Sequence, residues 1–491
     1  MVRFIKQACK FSIAVGLGLA VSSSAYGQLP PPNETVQAPP PPKSTVDPGL
    51  SSKPPAFTIP PGEAAPTPAA KDGTAPAVTN DTNPFAGFPQ VQDALADLLP
   101  GNFKNTKYKW YGFVRLDGIY DFNPIGSTDD FVTSTIPIPQ GKGRNFVLTP
   151  RYTRLGFDTL TPLEEHDWEV KTRIEMDFFN GNTSGVFGSF PLRLRFAWID
   201  VGPFLVGQAA SLFMDYDVFP NVLDYEGPPG MVLMRQPIIA YRYAIADNLK
   251  LSVGVEHPYS DIQWFEDGGF VVNPNTGIIT KAGVAKNIQG LPDFTANLKY
   301  TGEYGHLQVA GILRKLEFQT AAEEDEIKWG YGVNVTGSFR PWAYMHGVGK
   351  GGGDCGNCDN VMDKCRILGQ YACGRGISRY IQDINGLGLD AAWDPVAGFR
   401  TIQAQGWFLS YEQWWTDKVA SVFTYGQSWV DVPDFLPGDT YKSADYFAMN
   451  LIWLPVERMG MGIEFLYGTR ENKDGGKGKA CRIQTGFQYK F

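Results

Sequence analysis

Apolar and polar residues alternate one by one along much of the chain from about residue 107 onward. The stretch Trp168–Phe178 shows this best, because its apolar side chains are separated by Glu, Lys, Arg, Glu and Asp in turn. A period of two puts successive side chains on opposite faces of a β-strand. The last stretch, Cys481–Phe491, repeats the pattern with aromatic residues on its apolar face. The alternation therefore predicts an all-β chain of amphipathic strands.

About sixteen such segments can be counted, and the connections between them alternate between short and long. Each segment has about 9 to 14 residues, which is long enough for a tilted strand to cross a bilayer. An even number of strands returns the chain to the side on which it started. The segments are predicted to begin near Lys107, Phe146, His166, Leu192, Phe204, Gln236, Leu249, Asp293, His306, Lys328, Trp342, Ile402, Lys418, Ala444, Met459 and Cys481.

A soluble β-sandwich also alternates, with one strand face toward the opposing sheet and the other toward water. Three features favour a membrane barrel: the long strands, the bulky aromatic residues near strand ends, and the alternation of short turns with long loops. We therefore predict a transmembrane antiparallel β-barrel of about sixteen strands over residues 107–491, preceded by a disordered proline-rich periplasmic segment.

The N-terminal part of the chain is different in character. Residues 1–27 have a basic start, an apolar core and small residues at a cleavage position, which together predict a secretory signal peptide. Residues 28–89 hold nearly half of the 37 prolines and show no apolar period, so we predict a disordered linker. Residues 90–106 suggest a short helix and connector. Beyond the signal, no apolar run is long enough for a spanning helix.

Composition agrees with this organisation. The chain has 12 Trp, 22 Tyr, 32 Phe and 55 Gly without long apolar runs, as suits many strands. Its formal net charge of -8 argues against nucleic acid as a partner. We expect the barrel to lie in the lipid of the outer membrane of a Gram-negative-type bacterium, with the linker in the periplasm. The terminal Phe491 resembles the signal that the barrel-assembly machinery reads.

Strand parity turns one set of basic residues toward the lumen. A lumenal row of guanidinium groups would favour small anions, carboxylates in particular. The alternative is a mixed-charge wall, since acidic residues such as Asp117, Glu175 and Asp177 share the same faces. Measured reversal potentials would separate the two. The predicted pore-lining, anion-binding residues are Arg115, Arg154, Lys171, Arg173, Arg193, Arg195, Arg242, Arg314 and Arg482.

Four cysteines lie close together in what we predict to be a long outer loop, namely Cys355, Cys358, Cys365 and Cys373. In an exported protein they indicate two disulfides, with three possible connectivities. The Cys-x2-Cys spacing leaves a zinc site as the alternative. We expect no cofactor, and beyond that alternative no metal. We find no set of Ser, His and acid that would indicate an enzyme.

Several stretches of the chain resemble the DcaP-like porins. They include Tyr111–Asp117, Arg151–Phe157, Leu192–Ala197 and Tyr467–Gly475, in that order and spacing. The resemblance implies a homotrimeric, sixteen-stranded outer-membrane porin linked to uptake of dicarboxylates. The proline-rich segment stands where family members often carry a coiled-coil extension, so trimerisation would rest on the barrel walls. The alternative function is a structural or adhesive envelope barrel with a periplasmic tether.

Overall fold

The computed structural model describes residues 105–163, 168–179, 190–264, 270–272, 279–281, 286–320, 324–347 and 360–491. The predicted signal peptide, the linker and all but the last two residues of the connector lie outside these ranges. The strands are β1 (Lys107–Asp121), β2 (Asn145–Thr149), β3 (Arg154–Pro162), β4 (Glu169–Asp177), β5 (Arg193–Val201), β6 (Phe204–Ala210), β7 (Arg235–Ala246), β8 (Leu249–Glu256), β9 (Ile262–Trp264), β10 (Phe270–Val272), β11 (Ile279–Lys281), β12 (Lys286–Ile288), β13 (Asp293–Gly302), β14 (Gly305–Gln319), β15 (Asp325–Phe339), β16 (Arg366–Arg375), β17 (Ala391–Asp394), β18 (Gly398–Thr401), β19 (Gln403–Thr416), β20 (Val419–Asp431), β21 (Tyr441–Trp453), β22 (Met459–Asn472) and β23 (Lys477–Lys490).

Sixteen of these strands form a closed antiparallel barrel, which confirms the predicted fold class. They are β1, β3–β8, β13–β16 and β19–β23. The barrel closes where β1 pairs with β23, from Phe113 opposite Lys490 to Asp121 opposite Arg482. On its other side β1 pairs first with β3 and then with β2, so β2 and β3 act as one interrupted strand. Closure leaves no unpaired sheet edge in the membrane.

One predicted strand is wrong. The segment starting at Trp342 is a short helix, α1 (Pro341–His346), and the eleventh barrel strand is β16 instead. Proline has no backbone N–H for a strand ladder, and its fixed φ suits the first turn of a helix. Gly347 ends α1 with a positive φ of 65°. Among the described residues, no helix is both long enough and apolar enough to span a membrane.

The two faces of the wall differ as the alternation predicts. On β1 the outward-facing Trp110, Val114 and Leu116 remain exposed, whereas the inward-facing Arg115 and Asp117 are buried. In a soluble protein such an exposed apolar face would be unfavourable, but here lipid is the solvent. The polar side chains thus line the interior, and the site must be sought there.

β1 begins and β23 ends at the same end of the barrel, and the connections between strands at this end are short turns. The exception is the longer connection between β15 and β16, which contains α1. Most of the long connections lie at the other end, which we take as the outer end. Three of them, residues 122–144, 211–234 and 376–402, turn back into the barrel, as their buried residues show. Their apolar side chains, including Phe213, Ile381 and Phe131, pack among themselves and against the inner wall. The lumen is narrowed by these segments.

Candidate functional site

Basic side chains of β3, β4 and β5 project inward beside one another, because each lies on the polar face of its strand. Arg195 donates from Nε to Oε1 of Glu175 at 2.7 Å and from Nη1 to Asp177 at 2.9 Å. Arg193 binds Asp177 through two nitrogens, at 2.9 and 2.7 Å. Arg154 lies 3.5 Å from Glu175. The arginines of this wall therefore share carboxylates with their neighbours.

All nine basic residues predicted to line the pore form ion pairs with acidic residues. This matches the mixed-charge wall that stood as the alternative to an arginine row without counter-charges. The pairs are Arg115–Asp117, Arg154–Glu175, Lys171–Glu169, Arg173–Asp158, Arg193–Asp177, Arg195–Glu175, Arg242–Asp200, Arg314–Asp293 and Arg482–Asp121.

Two of the nine are completely covered. Arg314 and Arg482 point inward as predicted, but both are fully buried. Arg314 also binds Asp390 at 2.9 Å and the carbonyl of Gly376, both in the connection that follows β16. Arg482 donates to the carbonyl of Ser127. The inward-folded connections thus cover these two arginines, so their role here is to hold the connections in place.

A cavity of about 150 Å³ lies where the narrowed lumen meets the arginine wall. Residues of the segment 211–234, which we call the constriction loop, form the opposite side. Arg115 stacks on Tyr225, its Cζ lying 4.4 Å from the ring centroid. The basic residues that line the cavity are Arg115, Arg154, Arg193, Arg195 and Arg235, and the aromatic ones are Tyr152, Phe179, Tyr216, Phe219 and Tyr225.

Arg235, the first residue of β7, was missed in the sequence. Strict alternation along β7 would turn it outward, but it lies where the strand meets the constriction loop and lines the cavity instead. Its Nη1 donates to the hydroxyl of Tyr216 at 3.2 Å. Within the part of the chain that the structure describes, Arg235 forms no ion pair with a carboxylate. It is therefore the cavity's least neutralised cation.

The constriction loop is tied to the wall by carboxylates. Glu464 of β22 accepts hydrogen bonds from the backbone N–H groups of Leu223 and Asp224, both at 2.8 Å. Farther along the barrel, Glu256 accepts from the N–H of Leu212 at 2.9 Å. Each bond uses a backbone donor that the loop itself cannot satisfy. The start and the middle of the loop are thus held on opposite parts of the wall.

A third anchor of the constriction loop is Asp215. It binds Lys299 at 2.9 Å, His306 at 2.8 Å and the hydroxyl of Thr336 at 2.7 Å. With Asp217 and His306 it forms the one group among the described residues whose donor atoms are close enough to share a metal ion. The ammonium of Lys299 binds both carboxylates and supplies the positive charge, so we interpret the group as a loop anchor.

The inward-folded connections also bring carboxyl groups toward the arginine wall, Asp224 and Glu226 from the constriction loop and Asp130 from residues 122–144. Asp130, Asp224 and Glu226 line the cavity with the arginines. Burial raises the pKa of Asp224 to about 8, repulsion from Asp130 and Glu464 adds to this, and attraction to Arg482 opposes it. Burial likewise raises the pKa of Asp130 to about 6 and that of Glu226 well above its usual range. Near neutral pH Asp224 and Glu226 of the constriction loop therefore carry less negative charge than ordinary carboxyl groups, whereas Asp130 is mostly ionised.

The other inward-folded connections interlock with the constriction loop. Asp383 accepts a hydrogen bond from the N–H of Ser134 at 2.9 Å, and Asp224 accepts one from the N–H of Phe131 at 3.1 Å. Val232 and Ile381 pair as a short antiparallel bridge. Burial raises the pKa of Asp383 to about 6. Three connections far apart in sequence thus form one packed constriction.

The cysteines do not share one outer loop. Cys355 and Cys358 lie outside the described residues, whereas Cys365 directly precedes β16 at the end of the barrel with the short turns, and Cys373 lies within β16. Eight residues of extended strand span about 26 Å, so these two cannot bond to each other, which excludes one connectivity. The outer-loop placement is therefore wrong. β15 ends and β16 begins at the end of the barrel with the short turns, so the connection that holds these cysteines starts and finishes there.

Comparison with known proteins agrees with this architecture. The profile of the DcaP outer membrane protein family matches residues 91–273. The crystal structure of the outer membrane channel DcaP of Acinetobacter baumannii has the same fold, with a TM-score of 0.62 and 20% identity over 79% of this chain and 98% of that one. An anion-selective porin from Comamonas acidovorans aligns at 9% identity with a TM-score of 0.47, over 79% and 100% of the two chains. No curated protein matches the sequence.

Proposed function

From the premise that this chain is a DcaP-like β-barrel of the outer membrane, we propose that it is a passive diffusion channel for small hydrophilic solutes and favours anions such as dicarboxylates. The observation that carries the proposal is the cavity at the constriction. Five arginines line it, one of them without a carboxylate partner among the described residues, and the facing loop acids have raised pKa values. The five arginines outnumber the three carboxyl groups that line the cavity, and the raised pKa of Asp224 lowers the negative charge of that set further near neutral pH.

The chemistry of the constriction suits a carboxylate solute. A guanidinium group presents two parallel N–H donors to a carboxylate and stays charged at any physiological pH. Arg195 and Arg193 already use donors on Glu175 and Asp177, so a solute would meet the remaining donors of these arginines and those of Arg235. Rings such as Phe179 and Tyr216 offer apolar contact to the carbon part of the solute.

Reversal potentials in a salt gradient across a planar bilayer test the proposal. We expect chloride to be more permeant than potassium in the unmodified protein. Arg235→Gln should lower the anion-to-cation permeability ratio by about fivefold, as the loss of about 1 kcal/mol of charge interaction implies. Conductance with a panel of aliphatic and aromatic dicarboxylates would rank the solutes.

A matched control lies on the same strand. Arg242→Gln removes the same charge from β7, but Arg242 is paired with Asp200 and does not line the cavity. The anion-to-cation permeability ratio of the Arg242→Gln variant should stay close to that of the unmodified protein. A cation-selective channel would refute the anion preference, and a barrel that does not conduct would favour the structural or adhesive function.

We also propose that the barrel is a homotrimer in outer-membrane lipid and that it reaches the membrane through the barrel-assembly machinery. The resemblance to the DcaP-like porins supports the first part. The outward-facing aromatic side chains at the C-terminal strand, Phe487, Tyr489 and Phe491, support the second.

A further inference from the structure

A second recess lies at the outer end of the barrel, outside the lumenal constriction. Its volume is about 450 Å³. Three basic side chains line it, Lys328 near the start of β15, Arg375 at the end of β16 and Arg400 in β18, together with Asp431 and Asp434. All five are exposed. None of them takes part in the constriction described above.

The strand register places one side of this recess, formed by Arg375 and Asp431, on the lipid-facing side of the wall, whereas Lys328 has the inward parity of β15 and lies at the rim. Tyr331, Arg375, Gln403 and Asp431 lie directly opposite one another on β15, β16, β19 and β20. Tyr331 belongs to the outward, apolar face of β15 and is 40% exposed. Arg375 and Asp431 therefore share the outward face with Tyr331, at the very end of the strands.

Aromatic side chains mark the height of the recess in the membrane. Trp429 and Trp407 lie on the same outward face and closer to the middle of the barrel. Trp429 is two residues from Asp431 and pairs with Gln405, whereas Trp407 is four residues from Gln403 and pairs with Gln427. Aromatic belts of this kind lie at the boundary between hydrocarbon and headgroups. The cations of the recess lie just beyond the belt, where the charged headgroups of the outer leaflet lie.

The three cations keep donors available. The Nη1 of Arg375 donates to the carbonyl of Thr401 at 3.2 Å, and the Nε of Arg400 donates to the carbonyl of Ala397 at 3.1 Å. These bonds hold the side chains while leaving most of the five N–H groups of each guanidinium unused. In the described part of the chain, Lys328, Arg375 and Arg400 form no ion pair with a carboxylate. This contrasts with the lumen, where all nine predicted cations are paired.

We propose that this recess binds the phosphorylated sugar headgroup of an outer-leaflet glycolipid. Guanidinium groups bind phosphate through paired N–H donors, and a lysine adds a point charge. Asp431 and Asp434 accept hydrogen bonds from sugar hydroxyls, which a headgroup of phosphate and glycerol supplies less readily. The acyl chains would follow the outward face past Tyr331. The proposal does not depend on what the pore conducts.

Binding of diphosphorylated lipid A to the detergent-purified, full-length protein tests the site. Native mass spectrometry over a lipid titration gives the affinity, with phosphatidylglycerol as the comparison lipid and inorganic phosphate as the soluble probe. We expect lipid A to bind more tightly than phosphatidylglycerol. The double variant Arg375→Gln, Arg400→Gln should lose about tenfold or more in lipid A affinity, since charge-assisted hydrogen bonds are lost.

Two single-charge controls accompany the double variant. Lys477→Gln removes a cation from the same end of the barrel, where it pairs with Glu471 at 3.0 Å, and Arg340→Gln removes one from the opposite end. Both should bind lipid A like the unmodified protein, and all variants should conduct normally. Unchanged lipid A binding by the double variant would overturn the proposal. Displacement of lipid A by millimolar phosphate would overturn the lipid assignment in favour of a free phosphate site.

Discussion

The individual arginine side chains inside this barrel have three different roles. Arg314 and Arg482 are sealed under inward-folded connections and hold them by carbonyl and carboxylate bonds. Arg193 and Arg195 line the cavity but share carboxylates with each other. Arg235 lines it with a tyrosine hydroxyl as its polar partner. The inward direction of a side chain therefore does not by itself establish contact with a solute.

The loop carboxyls predict a pH-dependent selectivity. Asp130 and Asp383 have pKa values of about 6 and Asp224 of about 8, so ionisation between pH 5 and 9 adds negative charge to the constriction. We expect the anion preference, measured as a reversal potential, to fall across this range. Asp224→Asn should remove the part of the change between pH 7 and 9. The exposed Asp439→Asn serves as control, and a flat profile in the unmodified protein would contradict the assignment.

The raised pKa of Asp224 also makes the stability of the folded protein depend on pH. The pKa of Asp224 in the folded protein lies above its ordinary value of 3.8, so the folded state holds this proton more tightly than the unfolded one. Its contribution to stability is full below about pH 4 and is lost as the pH rises through 8. Asp224→Asn should make resistance to thermal unfolding less dependent on pH in that window.

At the scale of the element, the constriction loop keeps its position through wall residues rather than through its own secondary structure. Its described regular element is a single turn of 3-10 helix, Tyr216–Val218. Glu464, Glu256 and Lys299 come from three different strands and bind it at separate points. A loop held this way can be loosened at one anchor without unfolding the barrel.

Asp215→Asn is the variant that tests the anchoring. It removes the carboxylate that Lys299, His306 and Thr336 bind, and breaking such a buried pair weakens the anchor by about 3 kcal/mol. Single-channel recordings should show a larger mean conductance and more current noise. Asp217→Asn removes the same charge but keeps the bonds to His306 and Thr336, so its effect should be smaller. Equal, unaltered conductance in both variants would show that the loop is held elsewhere.

The whole molecule depends on the meeting of its two end strands, β1 and β23. Nine residue pairs, from Phe113–Lys490 to Asp121–Arg482, close the barrel there. The N–H of Phe491 adds a bond to the carbonyl of Gly112 at 3.1 Å. A Cβ on Gly112 would lie 2.3 Å from the carbonyl oxygen of Arg154 and 2.9 Å from the Phe491 ring, so glycine is needed at that position. The last residue thus serves closure as well as any recognition during assembly.

Deletion of Phe491 separates these two roles. If the assembly machinery recognises the Phe491 side chain, the amount of truncated chain in the outer membrane should fall several-fold. Membrane fractionation and heat-dependent gel migration measure this amount. The truncated chain should nonetheless refold from urea into detergent, because the nine pairs of closure remain. Phe491→Tyr should assemble normally. Normal membrane levels of the truncated chain would exclude recognition of the last residue.

Local pattern determined the strands of this protein. Alternation with period two depends on neighbouring residues alone, so it located strands such as β4, β8 and β22 to within a few residues and turned Arg154, Arg173 and Arg195 inward. It failed at Trp342, where a proline starts a helix, and at Arg235, where a strand passes into a loop and alternation ends. Both failures lie at element boundaries, where local period carries least information.

Only the tertiary structure decided which inward charges are neutralised, covered or open. Asp383 meets Ser134 and Glu464 meets Leu223 across more than two hundred residues of sequence, and no period along the chain encodes such contacts. The connections cover Arg314 and Arg482 because the closed barrel brings these side chains beside them. The sequence alone thus determined a barrel with basic residues on its inner face, whereas the three-dimensional packing decided where its constriction lies, because that depends on contacts between segments distant in the chain.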